Sequence, residues 1–250
     1  MTHHFHEGAD SRCAPLYGHS VADALSYAAT AHVCQSRKGK EHEPYLTHLL
    51  RVSQLALRYR ETAWPDADAV VIAGALHDTA EDQGGEVRLR DIAWRFGPRV
   101  AEIVEACSDS VTADPENKAP YPARKRHHIA SVDATDDAGI ALVTVCDKIA
   151  NLEEVLEDLA TLNPDEREKY MLVFKGRVEG TAAYYRGMYR ATAATAPPKA
   201  SAHLRRLVVQ LYEVFDLDVA SIDDASLPPS DQFYASIEAD IDDDGNYDGR

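Results

Sequence analysis

The stretch that most limits the fold is residues 138–162, AGIALVTVCDKIANLEEVLEDLATL. Its opening, IALVTV, is β-branched and has the composition of a buried strand. Its continuation, KIANLEEVLEDL, is helical in period, and no other convincing strand exists to pair with the opening. We read the whole stretch as one helix, apolar enough to lie in a core. That choice commits the chain to packing helix on helix.

The remaining signals agree. Residues 20–31, 46–60 and 66–82 show helical spacing of apolar side chains, separated by a polar loop, SRKGKEHEP, and a short linker. Gly97 is a helix stop, and Pro98 suits the first turn of the next helix. A proline-broken loop at 112–122 precedes ARKRHHIASV. Asn163-Pro164-Asp165 is a cap that opens a long helix to about Ala194, and a last helix covers roughly 199–215. The expected architecture is an all-α helical bundle of about eight or nine helices. Its expected parts are an N-terminal extension (1–17), a main domain (18–195), a C-terminal helix packed on it (196–218) and an acidic tail (219–250) expected to be disordered.

Charge narrows the partners. The net charge is −16, of which −11 falls in residues 212–250. That balance excludes a binder of nucleic-acid polymers or of anionic membranes, both of which need a basic face. No run of apolar residues is long enough to span a bilayer, and MTHHFHEGADSRC has no apolar signal region. The four cysteines show no metal-binding spacing. A cytoplasmic chain with reduced thiols is expected.

The sharpest local feature is His77-Asp78-Thr79-Ala80-Glu81-Asp82, at the end of an apolar run. On one continuous helix, 77 and 81 share a face, as do 78 and 82. Buried charge of this density needs compensation, and a divalent metal supplies it. His48 sits in the apolar segment PYLTHLL. Asp147 sits in the apolar run of 138–152, with Lys148 expected to point away from it on the helix. Together these residues spell H…HD…D across three helices.

This pattern resembles the HD-domain metal-dependent phosphohydrolases. The finer match is to the small alarmone hydrolases of metazoan type and to the (p)ppGpp hydrolase domain of the bifunctional Rel/Spo enzymes. The matching blocks are Arg37-Lys38-Gly39, Pro44-Tyr45-Leu46-Thr47-His48, His77 to Asp82, Phe96-Gly97 and Asp147-Lys148-Ile149-Ala150-Asn151-Leu152. Leu49 stands where the family usually has proline, and Cys146 where it usually has alanine. After Cys107 the chain reads SDS where the family often has TDD, or TD and a variable residue, and Asp109 is expected to keep that role.

The resemblance implies one Mn²⁺ per chain held by His48, His77, Asp78 and Asp147. It implies removal of the 3′-diphosphate of ppGpp or pppGpp, giving GDP or GTP and pyrophosphate. Glu81 and Asp82 are then the candidate general bases. Arg37 and Lys38 are candidate contacts to the base and diphosphate, with Asn151 and Tyr170 as further nucleotide contacts. Lys40 and the run Arg124-Lys125-Arg126 are weaker candidates. The stretch after 190 is too short for a synthetase domain. Other readings are an HD phosphohydrolase acting on ppApp or NADPH, and an antitoxin-type protein that neutralises an alarmone-synthetase toxin by hydrolysis or direct binding.

Overall fold

The computed structural model describes residues 19–109, 119–242 and 247; the expected N-terminal extension, 1–17, lies outside them. The chain begins with α1 (His19–Ala31), a hairpin of β1 (Ser36–Arg37) and β2 (Lys40–Pro44), and α2 (Leu46–Tyr59). It continues through α3 (Ala67–Leu76), α4 (Thr79–Asp82), α5 (Gly85–Phe96) and α6 (Pro98–Cys107). Then come α7 (Tyr121–Asp133), α8 (Ala138–Ala160), α9 (Pro164–Met171) and α10 (Arg177–Thr192). The last elements are α11 (Pro198–Val214) and α12 (Pro229–Ile237), with 3₁₀ turns at Val219–Asp223 and Glu238–Asp240.

The ambiguous stretch is indeed one helix, α8. It is buried without a break from Gly139 to Ala150 and packs against α2, α3, α6, α10 and α11. Asp137 starts it: one carboxylate oxygen accepts from the amides of Gly139 (2.9 Å) and Ile140 (3.1 Å). The Arg99 guanidinium grips the same carboxylate at 2.7 and 2.8 Å, tying α6 to the start of α8. Arg99 is the largest reason that this carboxyl titrates below its usual range. An acid with a depressed folded pKa stabilises above its unfolded value and loses that contribution as pH falls through the folded one. Asp137→Ala is therefore expected to cost about 1–2 kcal/mol near pH 7, the value of a good cap. The difference in urea midpoint from wild type should narrow as pH is taken below about 4.

Four features differ from the sequence expectation. The segment 66–82 is not one helix: α3 stops at Leu76 and α4 restarts at Thr79. The carbonyl of Gly74, which the Asp78 amide takes in an unbroken helix, accepts instead from His77 Nδ1 at 3.0 Å. The polar loop before α2 is a hairpin, because Arg37 pairs with Lys40 and Ser36 with Pro44 across a turn at Gly39, whose φ is +78°.

The long helix from Asn163 is also broken. Its capping box is present, with Asn163 and Glu166 bonding each other's amides at 3.0 and 3.1 Å. The chain then turns between Leu172 and Gly176 before α10 begins. Gly176 permits the turn, since a β-carbon there falls 2.7 Å from both the Thr181 amide nitrogen and the Tyr121 hydroxyl. These breaks divide the bundle into more pieces than the eight or nine expected.

The tail departs furthest from expectation. Residues 219–242 fold, and Ile222, Phe233 and Ile237 are fully buried. α12 lies across α7 and α10, where Phe233 and Ile237 complete a small second core with Ile129, Val132, Tyr184 and Met188. The buried Arg186 of α10 binds Ser221 Oγ (3.1 Å), the Gln232 carbonyl (3.3 Å) and Ser236 Oγ (2.7 Å). A few well-spaced apolar residues suffice to dock an otherwise acidic segment. Residues 243–246 and 248–250 lie outside the described part. Among the described residues, no helix is long and apolar enough to cross a membrane.

Candidate active site

α2, the α3–α4 break and α8 bring His48, His77, Asp78 and Asp147 to one point. His77 Nε2 lies 3.1 Å from Asp78 Oδ2 and 3.6 Å from Asp147 Oδ1. His48 Nε2 lies 3.2 Å from Asp147 Oδ1, 3.6 Å from Asp78 Oδ2 and 3.3 Å from His77 Nε2. A carbonyl can only accept, so the bond to Gly74 fixes the proton of neutral His77 on Nδ1 and leaves a lone pair on Nε2. Two imidazole nitrogens and an Asp78 oxygen thus lie close enough to share one cation, and Asp147 Oδ1 approaches from the side of the two imidazoles.

The electrostatics ask for a cation at this point. Burial alone lowers the pKa of His77, yet the Asp78 and Asp147 carboxylates outweigh it and raise it to about 10. Burial opposes ionisation of both carboxyls. His77 and His48 nevertheless hold Asp78 well below the usual range, and Lys148 with the two histidines does so for Asp147. The chemistry of the donor set fits a borderline divalent metal.

The neighbours hold these side chains in place. Tyr45 donates its hydroxyl to Asp78 Oδ2 at 2.5 Å and stacks on His32, with ring centroids 5.1 Å apart. Asn151 Nδ2 donates to Asp147 Oδ1 at 2.5 Å. Lys148 does not point away, as expected from the helix: its buried ammonium curls back to Asp147 Oδ2 at 2.5 Å. Adjacent helical side chains diverge at Cβ, but a lysine stem is long enough to return, and a buried ammonium needs its counter-ion.

Glu81 and Asp82 line a cleft of about 730 Å³ beside this cluster. Gln35 Nε2 donates to Asp82 Oδ2 at 2.7 Å. Glu81 Oε2 accepts from the Asp109 amide at 3.0 Å. Burial, then the Asp109 charge and hydrogen bond, raise the Glu81 carboxyl to about 8. Six cationic side chains line the cleft: Arg37, Lys38, Arg124, Lys125, Lys148 and Lys175. Asp109 holds two of them, Arg124 at 2.6 Å and Lys125 at 2.8 Å.

The sequence-derived contacts fare unevenly. Arg37 lines the cleft, held by Glu154 (2.7 Å) and Asn151 (2.8 Å), with its guanidinium 5.4 Å from the Tyr45 ring centre. Lys38 lines it over the Phe174 ring at 5.1 Å. Asn151 and Tyr170 line it too, although Asn151 is engaged at both ends of its amide and the Tyr170 hydroxyl donates to Asp158 at 2.8 Å. Lys40 is not part of the lining and pairs with Glu154 and Asp158 at 3.0 and 3.1 Å. Arg126 faces away, toward Asp231. Sequence reasoning missed Tyr45, His32, Gln35 and Glu154 as supports. Tyr45 had a usable signal, its place three residues before His48 in the matched block.

A family model described as an HD domain matches residues 24–174, more than half the chain. This chain belongs to the HD-domain family. The HD-domain match spans all four candidate ligands and both candidate bases, and it stops before α10. Among curated relatives, the guanosine-3′,5′-bis(diphosphate) 3′-pyrophosphohydrolase MESH1 of Drosophila melanogaster is 28% identical over 156 residues, covering 62% of this chain and 80% of its own. The Homo sapiens MESH1 is 31% identical over 135 residues, covering 54% of this chain and 69% of its own. The HD-domain fold also matches the solved structure of a metazoan ortholog of SpoT that hydrolyses ppGpp. The TM-score is 0.55 at 24% identity, over 76% of this chain and 94% of the other.

Proposed function

We propose that this HD-domain protein is a Mn²⁺-dependent alarmone hydrolase. Water is added to ppGpp or pppGpp, and the 3′-diphosphate leaves as pyrophosphate, with GDP or GTP as the other product. One observation carries the reading. A His-His-Asp-Asp cluster lies directly behind Tyr45, Lys148 and Asn151, which line a cleft with six cations and several aromatic rings, in a chain whose net charge is −16. The names of the MESH1 relatives supply the substrate class.

His48, His77, Asp78 and Asp147 would hold the metal, which would supply Lewis acidity toward a phosphate oxygen and a lowered pKa for water. Glu81 takes the proton from the attacking water, and Asp82, oriented by Gln35, supports the proton's exit. Lys125, Lys148 and Arg124 offer positive charge to the diphosphate. Arg37 presents a planar face to the purine, backed by Tyr45. Tyr170 and Phe174 close the nucleoside side of the cleft.

The deciding experiment is a hydrolysis panel of ppGpp, pppGpp, ppApp and NADPH with purified, Mn²⁺-loaded protein. Pyrophosphate release from the two guanosine substrates is expected. A loaded protein inert on both removes the proposal. Lys38 gives a second check. Burial, with Lys175 and Lys125 nearby, lowers its pKa, so an arriving phosphate relieves an unfavourable charge. Lys38→Ala is expected to raise KM about tenfold, the worth of one charged hydrogen bond, with kcat little changed.

A further inference from the structure

The cationic wall of the cleft is held from behind by a segment outside the family match. Phe233 of α12 is fully buried and meets Tyr184 of α10 edge-on, with centroids 6.3 Å apart at 72°. The Tyr184 ring in turn receives Lys125 Nζ at 4.6 Å and Lys148 Nζ at 5.3 Å from its centre. Lys125 is also bonded to Asp109, whose amide binds Glu81. The buried Lys148 ammonium and the half-buried Lys125 ammonium therefore share one aromatic ring, and a cation near a ring face is favourable where water is largely excluded.

We propose that Phe233 is a positioning residue for the cleft, acting through Tyr184 on Lys125 and Lys148. The proposal rests on the reading that these lysines face phosphate. Trimming Phe233 opens a space into which the Tyr184 ring turns, and both ammonium groups lose the face that holds them. α12 has other anchors that survive the change. Arg126 bonds Asp231 at 2.8 Å and lies 4.7 Å from the Tyr234 ring centre, and Arg186 holds Ser236. The acidic C-terminal segment thereby becomes part of the active unit, against the sequence expectation of a disordered tail.

The test uses the full chain with Phe233→Ala, Phe233→Leu, Lys125→Gln and the double change Phe233→Ala with Lys125→Gln. The readouts are the Kd for inorganic pyrophosphate by calorimetry, and KM and kcat on ppGpp. Phe233→Ala should raise Kd and KM about fivefold, with kcat changed less than about threefold. Phe233→Leu should recover part of the loss. The double variant should lose less than the product of the two single effects, because Lys125 carries part of the path and Lys148 the rest. Unchanged affinity in a folded Phe233 variant overturns the proposal, as do additive effects in the double variant or a wild-type chain that binds no pyrophosphate. If Phe233→Ala does not fold, Phe233→Leu decides on the same criteria. A wild-type protein that binds pyrophosphate but leaves ppGpp intact defeats the functional reading, and the binding measurements still judge the positioning role.

Discussion

Asp147→Ala is expected to abolish Mn²⁺ binding and hydrolysis together, and to destabilise the fold by about 3–5 kcal/mol. Asp147 is 8% exposed, and one oxygen faces both histidines while the other accepts from the Lys148 ammonium. Its removal takes away a proposed ligand and strands a buried cation in one stroke. The two losses can be separated. Adding Lys148→Met to Asp147→Ala removes the stranded charge and should restore most of the stability, with no return of metal binding or turnover. Urea unfolding and Mn²⁺ titration read the two effects independently. Wild-type metal affinity in Asp147→Ala would refute the ligand assignment. A wild-type unfolding midpoint would refute the ion-pair argument.

Glu81→Gln should lower kcat by about 10²–10⁴-fold while leaving Mn²⁺ affinity close to wild type. The substitution keeps the shape and the acceptor for the Asp109 amide but cannot take a proton. A base must be ionised to act, and burial beside Asp109 raises this carboxyl to about 8. Activity is therefore expected to climb with pH through the neutral range. Because a nearby cation favours the carboxylate, the climb in the loaded enzyme should centre at or below pH 8. The Gln variant should lose that rising limb. A variant with a wild-type rate and an unchanged pH profile would transfer the role to Asp82.

The clustering of His48, His77, Asp78 and Asp147 was legible because metal chemistry demands particular side chains, and no ordinary helix places His77, Asp78 and Asp147 in apolar runs without cause. The single helix of α8 was legible because its second half left no choice. The break at His77 was not, since neither glycine nor proline marks it; a side chain competing for the Gly74 carbonyl makes it. The return of Lys148 was hidden for a similar reason, as helical spacing describes Cβ directions and not the reach of four methylenes. The tail was misread through its average. Twelve acids in 212–250 masked Ile222, Phe233 and Ile237, which are few but correctly spaced to dock. The turn at Gly176 depended on Tyr121 and Thr181, a tertiary contact that local sequence does not encode.

The hairpin that carries Arg37 is tied down at both strands by one carboxylate. Glu154 on α8 holds Arg37 of β1 and Lys40 of β2, and Asn151 on the same helix joins Arg37 to Asp147. The cleft-lining hairpin is consequently not an interchangeable cassette. Transplanting residues 36–44 from a relative with another base preference would deliver the letters without their moorings. A successful exchange has to carry positions 151 and 154 along with it. Across this lineage, therefore, substrate preference and the inner face of α8 are expected to drift as one unit.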